Sequence, residues 1–182
     1  YKVDKSLDTT YPVVPLSDIC EINAENKNPA LAFGDDEFIY IDISSVENGT
    51  GKIDFSNKIK GSNAPSRAKR AVKKGDILFS TVRPNLKAYG YVEREDFDCC
   101  VASTGFAVIS AKNMVLSKYV YYMLYSEPVQ AQLASMMGKG AYPSVNQKDV
   151  SQIQIPLPPL SVQEKVVTEI DRYQKLLMAL NK

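Results

Sequence analysis

The chain has 182 residues, 45 % hydrophobic and 24 % charged, with a formal net charge of +1. That is one domain, or one domain with an appendage, long enough to bury a real core. Its near-neutral balance announces no general polyanion binder, so any nucleic-acid contact must come from a local patch.

The complete lack of histidine removes Ser-His-Asp and Cys-His catalysis, His-ligated zinc and histidine acid–base chemistry. Cys20, Cys99 and Cys100 have neither disulfide-framework nor metal spacing, and they fit a reducing, cytoplasmic compartment. No apolar run reaches membrane-spanning length and no signal peptide is visible. There is no P-loop and no dinucleotide glycine fingerprint. The only Pro-Pro pair, Pro158-Pro159, is flanked by leucines and is no adenine-methyltransferase motif. Asp18 with Glu25-Asn26-Lys27 imitates a nuclease cluster no better than chance supplies. The chain begins with Tyr1, so it is expected to be part of a longer one.

In chain order, residues 1–10 read as a polar lead-in. Val13 and Val14 suggest a short extended piece, and Ser17 is placed to cap a brief helical turn bearing Ile19 and Ile22. Residues 23–29 form a polar loop. Residues 38–43, rich in aromatic and β-branched side chains, predict a strand, and Asn48-Gly49-Thr50-Gly51 a turn. Residues 52–70 are the basic part, with Lys58, Lys60, Arg67, Lys69 and Arg70 around a loop-like 61–66 stretch. A flexible loop of this charge suits phosphate contact; it equally suits a solvated surface.

Gly75-Asp76 turns into a buried strand over 77–82, followed at once by Arg83-Pro84-Asn85-Leu86-Lys87. Arg and Asn are the side chains that read guanine and adenine bidentately in the major groove, and Pro84 stiffens the turn that presents them. Residues 88–92 and 100–109 read as two more strands. Ser103-Thr104-Gly105 lies inside the second, and Gly105 marks a bulge or a close backbone approach. The adjacent cysteines are expected on opposite faces of a strand, one of them in the core. A helix over 117–125, capped at Ser117, is followed by a second with Pro128 in its first turn and a stop at Gly138. Tyr119, Tyr121, Tyr122 and Tyr125 read as packing rather than base-stacking residues. The loop from Gly138 carries Lys139 and Tyr142, and Ser144 with Gln147 suggests a capping box for a turn over 145–150.

The C-terminal stretch organises the rest. Ile153 and Ile155 alternate as in a half-buried strand, and Pro156, Pro158 and Pro159 hold the chain extended. Ser161 and Glu164 then make a capping box. Val166, Ile170, Tyr173, Leu177 and Leu180 follow at the a/d spacing of a coiled-coil seam. A helix of roughly 19 residues, about 28 Å long, is marginal alone. It either folds back on its own domain or pairs with a second helix outside this stretch; a pattern still running at Lys182 favours the second.

The run Ile155-Pro156-Leu157-Pro158-Pro159-Leu160 with Gln163 and the long helix resembles the end of a target recognition domain in specificity subunits of type I restriction–modification systems. Gly75-Asp76-Ile77-Leu78, Arg83-Pro84-Asn85 and Ala102-Ser103-Thr104-Gly105-Phe106 are similar in order and spacing to central strands of the same family. With them the resemblance covers most of residues 38–180. The expected fold is α/β (mixed α+β): short, mostly antiparallel or mixed strands with a few helices, then a protruding coiled-coil helix. Residues 1–158 would form the recognition domain and 159–182 the spacer helix.

The resemblance implies sequence-specific recognition of double-stranded DNA by a non-catalytic specificity component of a prokaryotic system. The partners it implies are a methyltransferase subunit, restriction subunits, and a second recognition half paired through the helix, in cis or as a homodimer. No cofactor is expected on this chain, with S-adenosylmethionine on the methyltransferase. Candidate DNA contacts are Lys58, Lys60, Arg67, Lys69, Arg70, Arg83, Asn85 and Lys87; Lys139, Tyr142, Ser144 and Asn146 are carried over from the family's DNA-facing loop. The rival reading is a non-enzymatic interaction module that assembles a complex through its C-terminal helix.

Overall fold

The structure, a computed structural model, describes residues 10–138, 140 and 142–180. The elements in order are β1(Val13–Pro15), α1(Leu16–Ile19), β2(Cys20–Ile22), α2(Pro29–Phe33), β3(Glu37–Ile41), β4(Lys58–Lys60), β5(Ala68–Ala71), β6(Ile77–Ser80), β7(Tyr89–Tyr91), β8(Cys100–Ser103), β9(Phe106–Ala111), α3(Ser117–Leu124), α4(Glu127–Met136), α5(Gln147–Ser151), β10(Gln154–Pro156) and α6(Leu160–Leu180). Short 3-10 turns lie between them, one over Pro84–Leu86.

Two four-stranded sheets stack face to face, in orders β2-β9-β6-β7 and β4-β3-β8-β5. The β3–β8 pair is parallel and the other named pairs antiparallel. The period-two alternation of strand side chains builds the layers. Leu78, Phe106 and Val108 point from the first sheet toward Ile39, Ile41, Cys100 and Ala102 of the second. Their neighbours Ile77, Phe79, Tyr89, Ala107 and Ile109 point the other way, onto α1, α3, α4, α5 and the first half of α6. The outer face of the second sheet carries Phe38, Tyr40 and Val101, covered by Phe33 of α2, whose ring stacks on Phe38 at 5.2 Å. β1 and β10 pair apart from both sheets, so the beginning of the domain is tied to the strand that leads into α6.

The mixed α+β class, the strands near 38–43, 77–82 and 88–92, and the long C-terminal helix match the sequence reading. Several local expectations change. Residues 100–109 form two strands, not one: β8 belongs to one sheet and β9 to the other, and Thr104-Gly105 is the crossing between them. At Gly105 a Cβ would lie 2.5 Å from Ile43 Cδ1, which is the close approach expected. Of the cysteines, Cys100 is buried in β8, while Cys99 ends a 3-10 turn and is half-buried.

The caps shift in the same local way. Ser17 lies inside α1, which follows Pro15 without a side-chain cap, and Ile22 belongs to β2. Ser117 does not cap α3; its hydroxyl bonds Gly75 O instead. α5 is capped by Asn146, two residues later than Ser144. Its Oδ1 accepts from Asp149 N at 3.0 Å while Asp149 accepts from Asn146 N at 2.8 Å. In α6, Pro159 O already accepts from Val162 N and Gln163 N, so the helix starts before Ser161 and makes no box there.

The two alternatives for α6 divide along its length. Val166 and Ile170 pack on the domain core. Tyr173, Leu177 and Leu180 stay 61 %, 59 % and 81 % exposed. Gln163, fully buried, fixes the near half: its Oε1 accepts from Leu116 N at 2.8 Å and its Nε2 donates to Pro158 O at 2.8 Å and to Met114 O. Tyr122 and Lys118 of α3 both reach Asp171.

Candidate nucleic-acid interface

Strand direction gathers a set of loops at one end of both sheets. β8 ends and β9 begins there. In the antiparallel pairings Ser80 at the end of β6 faces Phe106, and Ala68 at the start of β5 faces Ser103. Backbone hydrogen bonds lace these loops together. Thr104 N donates to Arg67 O at 2.8 Å, Thr81 N to Gly105 O at 2.9 Å, Val145 N to Thr81 O at 3.0 Å, and Arg83 N to Pro143 O at 2.7 Å. Val82 and Ser144 form an isolated antiparallel bridge.

The 83–87 segment of this rim is conformationally strained and tied by hydrogen bonds. Arg83 and Lys87 both take the left-handed conformation, with φ of 48° and 55°, which costs a residue with a Cβ on the order of 1–3 kcal/mol. Between them Pro84–Leu86 make one 3-10 turn. The strain is held from several sides: Tyr89 Oη donates to Pro84 O at 2.6 Å, and Gly49 N donates to Lys87 O at 3.1 Å. The turn leaves Asn85 and Leu86 exposed at its tip. The Arg83 guanidinium carbon lies 4.3 Å from the centroid of the Tyr142 ring.

The structure thus brings Arg67, Arg83, Asn85, Lys87, Tyr142, Ser144 and Asn146 to one rim. Asn146 is partly committed, since its carbonyl caps α5. The remaining basic candidates are not one flexible loop. Lys58 and Lys60 lie on edge strand β4, whereas Lys69 and Arg70 lie on β5 at the opposite edge of the same sheet, about 14 Å away at the usual strand spacing. Arg70 is half-buried and donates from Nη1 to Asn26 Oδ1 at 3.1 Å; burial pushes its guanidinium pKa down. Lys139 lies outside the described residues.

Charge separates these sites further. Among the described residues, Lys73, Lys74, Arg94, Lys118 and Arg172 each have a carboxylate partner. Lys58, Lys60, Lys69, Arg67, Arg83 and Lys87 form no ion pair among the described residues. Yet Glu37 stands opposite Lys60 in the ladder, and Asp35 accepts from Ser62 Oγ at 3.1 Å. The Lys58–Lys60 edge therefore has acids beside it.

Two participants escape a sequence reading. Asn23 has a φ of 55°, accepts from Val108 N at 2.9 Å and donates to Gln147 Oε1 at 3.0 Å, so it ties α5 to the sheet beside the rim. An Asn directly after a short strand is the only local hint, because Asn tolerates this conformation best among residues with a Cβ. Leu86 is an exposed apolar residue between two polar ones, and sequence alone gives no reason to single it out. Among the described residues no group of acids and cysteines could hold a metal ion, and no helix is long and apolar enough to cross a membrane.

The class defined by this architecture is a two-sheet domain that presents a rigid, cation-bearing rim and a projecting helix with an apolar stripe. The chain belongs to the type I restriction modification DNA specificity domain family, whose pattern matches residues 9–182. It is 28 % identical over 151 residues to the type I restriction enzyme HindI specificity subunit of Haemophilus influenzae, covering 80 % of this chain and 29 % of that protein. To the MjaIX specificity subunit of Methanocaldococcus jannaschii it is 26 % identical over 108 residues, covering 59 % and 24 %. The HsdS subunit of Thermoanaerobacter tengcongensis superposes with a TM-score of 0.83 at 32 % identity, over 96 % of this chain and 45 % of that one. The S subunit of M. genitalium shares the fold, with a TM-score of 0.58 at 10 % identity, over 99 % of this chain and 43 % of that one. The chain therefore spans less than half the length of these relatives.

Proposed function

We propose that this chain reads double-stranded DNA as one half of a type I specificity subunit, non-catalytic itself, and directs methyltransferase and restriction subunits to a half-site. The observation that carries this is the rim. It sets Arg67, Arg83 and Lys87, none of them ion-paired among the described residues, beside exposed Asn85 on a backbone locked from several sides. Cations at the rim hold phosphates, while side chains at the 83–87 tip reach base edges; phosphate contacts set register and base contacts set sequence. S-adenosylmethionine belongs on the methyltransferase subunit. If that subunit methylates adenine within a duplex, the base must leave the stack, and this domain grips the flanking duplex.

Residues 1–158 are the recognition unit in this reading, and 159–182 the spacer helix, its near half seated on the domain. The exposed Tyr173, Leu177 and Leu180 stripe is where a second recognition half pairs, in cis or from another copy. The same stripe favours the rival reading, in which the chain only assembles a complex. Salt separates the two. With the methyltransferase subunit bound, about five phosphate contacts give a log–log salt slope of about −4.5. Arg67→Glu and Lys87→Glu should each flatten it by at least about 1, whereas the acid-flanked Lys58→Glu changes it less. A complex that assembles normally but binds duplex DNA with no salt dependence would leave only the assembly reading.

A further inference from the structure

Arg83 combines three features that no other cation in the described residues shares. Its backbone is held left-handed by Pro143 O and the 3-10 turn that follows it. Its guanidinium sits against an aromatic ring from a different loop. Among the described residues, no side-chain hydrogen bond or ion pair engages its donors. A guanidinium stacked on a ring keeps its in-plane N–H groups free, and a planar fork of free donors matches the O6 and N7 acceptors of guanine. A lysine or an unstacked arginine would have to be ordered at the moment of binding; this one is ordered beforehand.

Tyr142 also has a clear division of parts. It is 74 % exposed, so it contributes little to the core, yet its ring lies against the Arg83 head, 4.3 Å from Cζ. Pro143, next to it, supplies the carbonyl that fixes the Arg83 backbone at 2.7 Å. Side chain and backbone of one residue are thus positioned by two consecutive residues of another loop. Such a pairing of loops far apart in the sequence selects one presentation of Arg83.

We infer that Arg83 is the residue that specifies a guanine in the half-site, and that Tyr142 is its positioning residue, aiming the guanidinium rather than stacking on a base. This rests on the DNA reading above and adds to it a base identity and a division of roles. The consequence is local: one position of the recognised sequence depends on the Arg83–Tyr142 pair and the others do not.

The test is selection and sequencing of bound duplexes by the complete specificity subunit with its methyltransferase, for the parent and four variants. The parent yields a motif containing guanine at one position. Arg83→Gln loses the preference at that position by about 5- to 150-fold and keeps the rest of the motif; Arg83→Lys loses part of it. Tyr142→Leu weakens the same position by roughly 2- to 5-fold, the scale of an exposed cation–π contact, and Tyr142→Phe restores it because the ring is kept. If the parent selects no motif at all, the DNA reading fails and this inference with it. If the parent selects a motif but Arg83→Gln leaves every position unchanged, only this inference fails. If Tyr142→Leu alters a different position, or Tyr142→Phe fails to restore, Tyr142 contacts DNA itself and the positioning role is overturned.

Discussion

Two tyrosine-bearing regions of this molecule behave oppositely. In the joint between the first sheet and the helices, Tyr89, Tyr121, Tyr122 and Tyr125 are packed ring against ring, with Tyr121 and Tyr125 centroids 5.3 Å apart. Their hydroxyls are consumed indoors: Tyr121 and Tyr125 both donate to Tyr89 O, at 3.2 and 2.9 Å, and Tyr122 reaches Asp171. At the rim, Tyr142 is exposed and its ring faces a single guanidinium. What separates the two is the company the aromatic keeps. A tyrosine on a helix at core spacing finds buried partners for both ring and hydroxyl. One in a loop with a nearby cation and open solvent is left free for the recognition role proposed above. The joint should therefore govern stability and the rim binding, with little exchange between them.

The largest expected effect attacks the joint. Phe79 is fully buried and its ring stacks on Tyr89 at 4.5 Å, so Phe79→Ala should cost about 3–5 kcal/mol in denaturant unfolding. Asn85→Ala at the rim tip should stay within about 0.5 kcal/mol of the parent while changing the selected DNA motif. An Asn85→Ala protein that unfolded early would blur the separation.

Next comes the seat of α6. Gln163→Ala and Gln163→Leu both remove the partner of Leu116 N–H and of the Met114 and Pro158 carbonyls, an expected loss of about 1–3 kcal/mol each. A Leu variant as stable as the parent would show that apolar packing alone seats the helix. Asp76, also buried, accepts from Lys73 N at 2.8 Å and from Ser110 Oγ at 2.7 Å. Burial nonetheless raises its carboxyl pKa above the ordinary value, against those hydrogen bonds. A raised folded pKa means its contribution is full below the unfolded carboxylate range, about pH 4, and is lost as pH rises through the folded value. Asp76→Asn keeps one acceptor and cannot ionise. Its stability relative to the parent should thus improve from about pH 4 upward, read as paired unfolding curves across pH; a constant difference would mean that Asp76 is not desolvated.

How much of this was written locally follows from the same contrast. The passage from β10 to α6 was legible because prolines fix φ and the helix pattern is long; only its first residue moved, since Pro159 O rather than Ser161 starts the helix. The basic stretch was misread as one loop because β4 and β5 are three and four residues long, too short for alternation to register, and lysine is a poor strand former that suits edges. The split of 100–109 was hidden because Ser103-Thr104-Gly105 carries no strong turn signature; the crossing is imposed by two sheets competing for one chain. At the rim, Arg83 and Asn85 were visible through their base-reading chemistry. The tie from Arg83 to Tyr142 and Pro143 spans some sixty positions and has no local trace.

The smallest effect is the most telling, because one residue belongs to both regions. Tyr89 sits in the joint with its ring fully buried, yet its hydroxyl donates to Pro84 O, the start of the rim turn. Burial pushes its phenol up to about 12, so at neutral pH it is always a donor. Tyr89→Phe keeps the ring and deletes that bond together with the longer one the hydroxyl accepts from Gln130 Nε2 at 3.4 Å, and should cost about 0.5–1.5 kcal/mol, visible as a small fall in the unfolding midpoint at unchanged slope. Its effect on DNA should exceed what so small a destabilisation predicts, since a loosened Pro84 frees the left-handed Arg83 and Lys87 to relax. Selected motifs should blur at the positions read by the 83–87 tip, with the salt slope unchanged because no cation is removed. A Tyr89→Phe protein with parental motif and slope would show that the turn holds its strain without the joint, and that the two regions are as independent as their exposure suggests.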